Sequence, residues 1–197
     1  MSDRDHSYPR RRTIRSSDHD YATPGAYFVT ICTHGQTCML GHIDDDEMVA
    51  NTRGEVARQC WHSLPDYHPI SLDAFVLMPN HLHGVVVLHE SHGKRCALPN
   101  VVRTFKSMSA RRINSLRGIT DTPVWQRGYY EHVIRNDDAL EKIRRYIAGN
   151  PARWRRDPEN PQGIVPPSRR AGRGPAPTTV TAKGKDRLYT IPVASRR

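Results

Sequence analysis

The chain has 197 residues, only 37% of them apolar, and a formal net charge of +10, which suits one domain with polar extensions. No apolar run reaches the roughly 18–20 residues of a membrane span, and the polar first residues predict no secretory signal. The four cysteines form no Cys-x-x-Cys pair, which excludes a zinc ribbon and predicts reduced thiols in a cytoplasmic protein.

The positive charge is concentrated in the second half of the chain. Residues 22–102 carry four basic and eight acidic side chains, whereas residues 103–156 carry thirteen and five, and residues 161–197 carry eight and one. This asymmetry suggests a polyanionic partner. A solvated basic surface that keeps the protein soluble explains the charge equally well at this point.

The first half of the chain predicts a strand, a helix and a hairpin. Residues 26–33 are β-branched and aromatic and predict the first strand. The acidic run at 44–47 fits the first turn of a helix, which continues over 48–63 with Val49, Val56, Cys60 and Trp61 on its buried side. Residues 70–78 and 81–89 predict two strands joined at the Pro79-Asn80 turn.

The second half predicts two helices and one more strand. Residues 101–116 have apolar side chains at three- and four-residue steps, which indicates a helix. Residues 124–135 predict extended chain that ends in a fourth strand, and Asn136 predicts the N-cap of a helix over 137–149. The domain is thus expected to span 21–156, between a flexible arm at 1–20 and a basic, Pro- and Gly-rich disordered tail at 157–197.

The order of these elements predicts the fold. The first six follow the pattern β-α-β-β-α-β, which is typical of an α+β, ferredoxin-like or RRM-like sandwich with one antiparallel sheet. A further helix follows at the C-terminal side. Helices cover one face of such a sheet, and the other face can stay open for single-stranded nucleic acid. The aromatic signature of RNA-recognition modules is missing.

Two histidines form a candidate metal site. In His81-Leu82-His83 the two imidazoles point to the same face of a strand, so both can reach one divalent ion while Leu82 faces the core. In isolation, a chance pair among eleven histidines would be the better explanation. The position directly after an apolar strand and a Pro-Asn turn makes the pair far more specific.

The last helix carries a candidate nucleophile. Tyr146 and Asn150 are four residues apart and share a helix face, and Arg144 and Arg145 precede the tyrosine. A phenol with a pKa of about 10 is a weak nucleophile, but a metal ion or arginine nearby favours the phenolate. On this pair alone, a half-buried tyrosine with Asn150 as a helix C-cap is the better explanation.

Other motifs narrow the class of protein. The segment 125–132 (WQRGYYEH) has aromatic and basic side chains that could stack on bases or hold phosphate, although packing around Trp125 explains at least half of them. The sequence has no Gly-rich phosphate loop, Gly-x-Ser-x-Gly elbow or paired carboxylates. ATPase, serine hydrolase and glycosidase functions therefore have no support.

Five stretches considered together reveal a family resemblance. They are 25–30 (GAYFVT), 76–84 (VLMPNHLHG), 105–107 (FKS), 125–135 (WQRGYYEHVIR) and 145–151 (RYIAGNP). In order and spacing the chain resembles the HUH-class single-tyrosine transposases of the small insertion-sequence type. Within that class it is most similar to the REP-associated tyrosine transposases.

The resemblance implies a function and a site. His81 and His83 would bind Mg²⁺ or Mn²⁺, Tyr146 would be the nucleophile, and Asn150 stands where relatives place a polar metal ligand. The implied reaction cleaves and rejoins single-stranded hairpin DNA through a 5′-phosphotyrosine, without ATP. The implied setting is the bacterial cytoplasm, associated with the nucleoid when bound to DNA, with the protein as a homodimer or a monomer.

The basic and aromatic residues that we expect to contact DNA are Arg103, Lys106, Arg111, Arg112, Arg127, Tyr129, Arg135, Arg144 and Arg145. Two other functions stay open. One is a non-catalytic nucleic-acid-binding module on the same fold. The other is a metal-dependent hydrolase that uses the histidine pair alone, which would need a carboxylate-rich site that the sequence does not place near the pair.

Overall fold

A computed structural model describes residues 22–90, 96–157, 159–161 and 163, together with the backbone of two short strands near the C-terminus. The predicted arm at 1–20 and most of the predicted tail lie outside the described residues. No helix within the described part of the chain is long and apolar enough to cross a membrane.

The elements follow one another in a mixed α+β order. The strands and helices are β1 (Gly25–Cys32), β2 (Gly41–Asp44), β3 (Glu47–Ala50), α1 (Thr52–His62), β4 (Ile70–Leu77), β5 (His81–Leu88), α2 (Leu98–Leu116), β6 (Tyr130–Ile134), α3 (Asp137–Ala148), β7 (Ala182–Gly184) and β8 (Arg187–Tyr189). Short 3₁₀ turns lie at His34–Gln36, Leu64–Asp66 and Pro151–Arg156. β7 and β8 pair with each other as a two-stranded sheet.

The central sheet has the predicted ferredoxin-like topology. Its strand order is β4-β5-β1-β6, and all three pairings are antiparallel. This is the arrangement that the β-α-β-β-α-β order produces when β1 and β5 occupy the centre. The register places Cys32 of β1 beside His81 of β5, and Thr30 beside His83.

One face of the sheet carries the larger apolar core. Tyr27, Val29 and Ile31 point from β1 toward α1 and α2 and are buried. Trp61 of α1 fills this face so closely that a Cβ at Gly84 would lie 2.3 Å from its ring. A glycine is therefore required on β5 where the indole crosses the strand.

The opposite face, which this fold can leave open for nucleic acid, is covered by the C-terminal helix. α3 packs on it through Ala139, Ile143 and Ile147, which contact Phe28 of β1 and Val85 of β5. These helix residues recur at four-residue steps and form one apolar stripe that the sheet covers. The packing brings the C-terminal end of α3 over the sheet.

The acidic run at 44–47 is a hairpin turn and not the start of a helix. β2 and β3 pair around it, and Asp45 and Asp46 have positive φ angles of 43° and 64°. Short polar residues tolerate this backbone in a tight turn. Helix α1 begins only after Asn51, whose side chain caps the helix, and Val49 is 43% exposed on the hairpin instead of buried.

The remaining boundaries differ little from prediction, except at the end of the domain. α2 begins at Leu98, with Pro99 in its first turn, and the predicted N-cap of α3 is confirmed because Asn136 accepts from the Ala139 N–H at 2.8 Å. Glu159 and Asn160 are buried although the sequence assigns them to the tail. The folded chain therefore continues past residue 156, because these polar residues bind to the body of the domain.

Candidate active site

The histidine pair lies at the start of β5, on the face that α3 covers. His81 and His83 are both buried, and their Nε2 atoms are 3.2 Å apart. Leu82 between them points into the opposite core, as the strand alternation predicts. The two ring nitrogens are thus directed at one point.

Hydrogen bonds fix the orientation of both rings. Nδ1 of His81 donates to Oδ1 of Asn80 at 2.8 Å, because the Asn80 amide nitrogen is engaged with the carbonyl oxygens of Gln36 at 3.1 Å and Glu159 at 2.6 Å. Nδ1 of His83 is 2.8 Å from Oγ1 of Thr30. A proton on each Nδ1 leaves the Nε2 lone pair for a ligand.

The surroundings keep both imidazoles uncharged. Burial lowers the pKa of His81 to about 3, and burial together with the neighbouring His81 holds the pKa of His83 well below its usual range. Phe28 stacks on His83 with ring centroids 5.3 Å apart, and the Trp154 ring lies 6.1 Å from His81. Neutral imidazoles are the form that binds metal ions.

Tyr146 reaches this pair from α3. Its Oη is 3.3 Å from Nε2 of His83, and its ring lies 6.0 Å from Phe28, edge to face. Burial raises the pKa of Tyr146 to about 12, while a hydrogen bond from Asn150 and the charge of Arg153 act in the opposite direction. The phenol is therefore protonated at neutral pH in the free protein.

Asn150 supplies an oxygen beside the histidines and the tyrosine. The residue is buried just after α3, and its Oδ1 finds no hydrogen-bond partner among the described residues. An orphaned buried oxygen is costly unless a ligand satisfies it. Within the described part of the chain no three His, Cys, Asp or Glu side chains form a closed metal cluster, so a site here draws on His81, His83 and this amide oxygen.

The other candidate tyrosines lie in less suitable positions for a nucleophile beside the histidines. Tyr27 is buried in the opposite core, and its hydroxyl donates to the Thr23 carbonyl oxygen at 2.7 Å. Tyr130 shares the site face with Tyr146 but packs against Phe28 from β6, and burial raises the pKa of its phenol. Tyr129 packs against the core of the opposite face.

The residues that the sequence predicts as DNA contacts do not form one surface. Four of them line a groove of about 460 Å³ beside α2, on the side opposite the histidines: Arg103, Lys106, Arg127 and Tyr129. In this groove Nζ of Lys106 donates to the carbonyl oxygens of Gln126 at 2.8 Å and Gly128 at 2.7 Å. Burial lowers the pKa of this ammonium group to about 8.

The other five lie elsewhere. Arg112 joins the two helices by donating to Oε1 of Gln59 at 3.1 Å, and Arg111 is exposed on α2. Arg144 makes two hydrogen bonds to the Asp73 carboxylate at 2.8 and 2.6 Å, which ties α3 to β4. Arg145 is exposed on α3, and Arg135 is exposed between β6 and α3.

Sequence reasoning missed the residues that support the pair. Thr30 is found only when the strand register is known, whereas Asn80 directly precedes His81 and carried a local signal. A carboxylate does lie near the pair, contrary to the expectation from the sequence: Oδ2 of Asp157 is 4.0 Å from Nε2 of His81. Seventy-six positions of chain separate these two residues, so no spacing pattern could reveal the contact.

Known proteins resemble this chain in sequence. The family profile described as "Transposase IS200 like" matches residues 44–150, a span that contains the histidine pair, Tyr146 and Asn150. An uncharacterized protein of Haemophilus influenzae is 36% identical over 166 residues, covering 75% of this chain and 91% of the relative. A second protein of that organism, called a REP-associated tyrosine transposase, is 25% identical over 139 residues, covering 68% and 74%.

A solved structure resembles the fold. The structure of a REP-associated tyrosine transposase bound to a REP hairpin superposes with a TM-score of 0.52 and 20% sequence identity, covering 71% of this chain and 74% of that chain. At this identity the likeness concerns the fold alone, and it agrees with the four-stranded sheet and the helices described above.

Proposed function

The chain belongs to the IS200-like transposase family, and we propose that it cleaves and rejoins single-stranded DNA with Tyr146 as its nucleophile. The observation that carries this proposal is the convergence of two buried imidazoles and one partly buried phenol. Oη of Tyr146 lies 3.3 Å from Nε2 of His83, which in turn lies 3.2 Å from Nε2 of His81. A helix and a central strand thus present a hydroxyl nucleophile to a metal-binding pair.

The residues present fit a divalent cation. His81 and His83 would hold it with their neutral Nε2 atoms, and Asn150 would add its orphaned Oδ1. Mg²⁺ or Mn²⁺, when bound, polarises a phosphate oxygen and offsets the charge that develops there. Asn80 and Thr30 keep the two rings directed at that point.

The covalent step uses the hydroxyl of Tyr146. Its oxygen attacks the phosphorus, the bond from phosphorus to the 3′ oxygen breaks, and the 5′ end remains on the tyrosine as a phosphodiester. The phenol loses its proton, and the leaving 3′ oxygen gains one. Attack by a 3′-OH on the phosphotyrosine reverses the step, so rejoining needs no other energy source.

Two groups of this chain favour loss of the phenol proton. The Asn150 side chain hydrogen-bonds the phenol and lowers its pKa, and the charge of Arg153 acts in the same direction, against the burial and the Asp157 and Glu159 carboxylates that raise it. Arg153 lies close to the end of α3, where its guanidinium carbon would be 3.5 Å from a Cβ at Gly149. Both groups belong to the segment that ends α3, next to the hydroxyl that must react.

The substrate proposed is single-stranded DNA with a hairpin. The groove of Arg103, Lys106, Arg127 and Tyr129 combines cations with an aromatic ring, which suits a phosphate backbone and its bases. A related fold has been solved with a REP hairpin bound. The two sides are connected at the end of β1, where Thr33 pairs with Trp125 of the groove and its hydroxyl donates to the carbonyl oxygen of Asn80, beside His81, at 3.0 Å.

A covalent-adduct assay tests the proposal. The protein is incubated with Mn²⁺ and end-labelled single-stranded hairpin DNA, and a labelled band should survive denaturation. Peptide mapping should place the DNA on the Tyr146 peptide, and Tyr146→Phe should bind DNA without forming the band. Tyr130→Phe is the matched control on the same face and should still react.

Two results would contradict the proposal. An adduct that persists in Tyr146→Phe, or that maps to Tyr130, would assign the nucleophile elsewhere. Binding of hairpin DNA by the wild-type protein without any adduct would favour the non-catalytic binding module.

A further inference from the structure

The segment after α3 carries a further ligand for the proposed metal site: we infer that the carboxylate of Asp157 binds the same ion as His81, His83 and Asn150. The inference rests on the proposed function, because it concerns the ion proposed there. It adds a negatively charged ligand to a set of neutral ones. Asp157 also lies outside residues 44–150, the part of the chain that the family profile matches.

The distances between donor atoms suit one shared ion. Oδ2 of Asp157 is 4.0 Å from Nε2 of His81, and the Asp157 side chain is only 9% exposed. Two donors at bond lengths of about 2.0–2.2 Å lie roughly 3 Å apart on adjacent positions of an octahedral ion and somewhat over 4 Å apart on opposite ones. The 3.2 Å between the histidine nitrogens and the 4.0 Å to the carboxylate both fall in this window.

The carboxylate is held in place by its own segment. Its other oxygen, Oδ1, accepts the backbone N–H of Glu159 at 2.7 Å, which leaves Oδ2 on the side of His81. The Trp154 carbonyl oxygen accepts from the Asn160 amide at 2.9 Å, and the Trp154 ring lies beside His81. The segment thus folds back over the histidine pair.

One amide connects this segment to the histidine. Asn80 accepts from Nδ1 of His81 at 2.8 Å and donates to the carbonyl oxygen of Glu159 at 2.6 Å. The Glu159 carboxylate is anchored in addition by the Gln36 side chain. The group that orients His81 therefore also fixes the backbone two residues beyond Asp157, and the two donor atoms are positioned as one unit.

The chemistry of the ion favours this ligand. Mg²⁺ and Mn²⁺ are hard cations that prefer carboxylate and carbonyl oxygens. Two imidazoles and an amide bring no negative charge to them. Asp157 supplies one, and a small movement of its side chain toward the ion would close the cluster.

Mn²⁺ binding by the full-length, DNA-free protein tests the inference without reference to activity. Affinity is measured by isothermal titration calorimetry and by the electron paramagnetic resonance signal of free Mn²⁺. Loss of an outer-sphere partner alone typically costs 10–100-fold in affinity, so Asp157→Asn should bind Mn²⁺ at least about tenfold more weakly. The amide oxygen of the variant can still accept the Glu159 N–H, and its melting temperature without metal should match the wild type.

Three comparison variants make the result specific. His83→Ala removes a proposed ligand and should abolish Mn²⁺ binding, whereas Asp73→Asn removes a carboxylate that is paired with Arg144 and should leave binding unchanged. Asp157→Glu keeps the charge and should retain more affinity than Asp157→Asn.

The outcomes separate the two proposals. If His83→Ala abolishes binding and Asp157→Asn binds as the wild type or more tightly, the inference is wrong and the metal site stands. If His83→Ala binds normally, the proposed metal site is wrong and the inference falls with it. If Asp157→Asn and Asp157→Glu lose affinity and melting temperature equally, Asp157 has a structural role and the inference is overturned.

Discussion

The two faces of the central sheet are built from alternate residues of the same strands, yet they bury different kinds of side chain. One face buries the larger apolar core, and the other also buries polar side chains of the candidate site. On β1, Tyr27 and Val29 face α1 and α2 within an apolar core, while Phe28 and Thr30 face α3 and contact His83. On β5, His83 and Gly84 are neighbours in sequence and point to opposite faces. The fold therefore places the larger apolar core and the candidate site on opposite faces, one residue apart along the same strands.

This separation has an energetic reason. Burying neutral imidazoles and an orphaned amide oxygen costs stability, since each loses hydrogen bonds to water. The α1 and α2 face offsets that cost because it buries large side chains such as Trp61 and Phe105, whose rings meet edge to face at 5.6 Å. Substitutions on the two faces should accordingly change different measurable properties.

The largest expected effect is on the face that α3 covers, which carries the candidate site. His83→Ala should reduce adduct formation with hairpin DNA by at least about a hundredfold, because it removes a proposed metal ligand and outer-sphere losses alone reach that range. Circular dichroism should show that the variant is folded. In fluorescence anisotropy the variant should still bind DNA. His132→Ala, on the same face of β6, is the matched control and should react.

Near-normal adduct formation by His83→Ala would remove the distinction between the two faces. It would show that the pair at the start of β5 is a packing feature.

The neighbouring position should give the opposite result. Gly84→Ala places a Cβ 2.3 Å from the Trp61 ring, and overpacking of this kind costs about 1–3 kcal/mol of unfolding free energy. Urea unfolding measures the loss, and adduct formation per folded molecule should be unchanged. Gly128→Ala is the control, since a Cβ there meets nothing within 4 Å. Equal stability of the two variants would mean that the indole shifts without cost.

The sequence predicts most of the fold because the patterns that carry it are local. The apolar runs of β1, β4 and β5 and the N-cap of α3 are complete within short windows, and the structure confirms them, although the C-cap of α3 is Gly149 and not Asn150. The β2–β3 hairpin escapes prediction because its strands have four residues each and its acidic turn imitates the first turn of a helix. The position of α3 over the second face is a tertiary choice that no local pattern encodes.

The candidate site, like the fold, is predicted from the sequence only where the pattern is local. The sequence places His81 and His83 on one strand face and Tyr146 and Asn150 on one helix face, and the structure brings the two pairs together. Their supports, Thr30 and Asp157, come from distant parts of the chain and depend on strand register and on the return of the chain after α3. The roles of all these residues in catalysis stay predictions until the variants are measured.

A smaller effect is expected on the α2 side of the sheet, in the affinity for DNA and its dependence on salt. Arg127 lines the groove beside α2, whereas Arg111 is exposed on α2 outside it. Removing one phosphate contact to single-stranded DNA lowers the slope of log affinity against log salt by about 0.7. Arg127→Ala should show this change with a few-fold loss of affinity by fluorescence anisotropy, and Arg111→Ala should not. Equal slopes for both variants would mean that the groove is not the DNA path.

The smallest expected effect concerns the ion pair that holds α3 on the sheet. The hydrogen bonds from Arg144 lower the pKa of the Asp73 carboxyl, burial acts against this, and the Ala74 N–H at 2.7 Å assists it. A carboxyl whose pKa is depressed on folding stabilises the protein above its unfolded pKa of about 4, and this stabilisation is lost as the pH falls through the folded value. Both side chains are partly exposed, so solvent screening keeps the effect small.

The difference between two proteins isolates this contribution from the other carboxylates. The melting temperature of the wild type should exceed that of Asp73→Asn by a small margin at pH 7, and the margin should shrink as the pH falls below 4. Glu141→Gln removes the longer contact to Arg144, at 3.6 Å, and should lower the melting temperature at pH 7 by less than Asp73→Asn does. A margin that stays constant down to pH 2 would show that the charge of the Asp73 carboxylate does not hold α3 on the sheet.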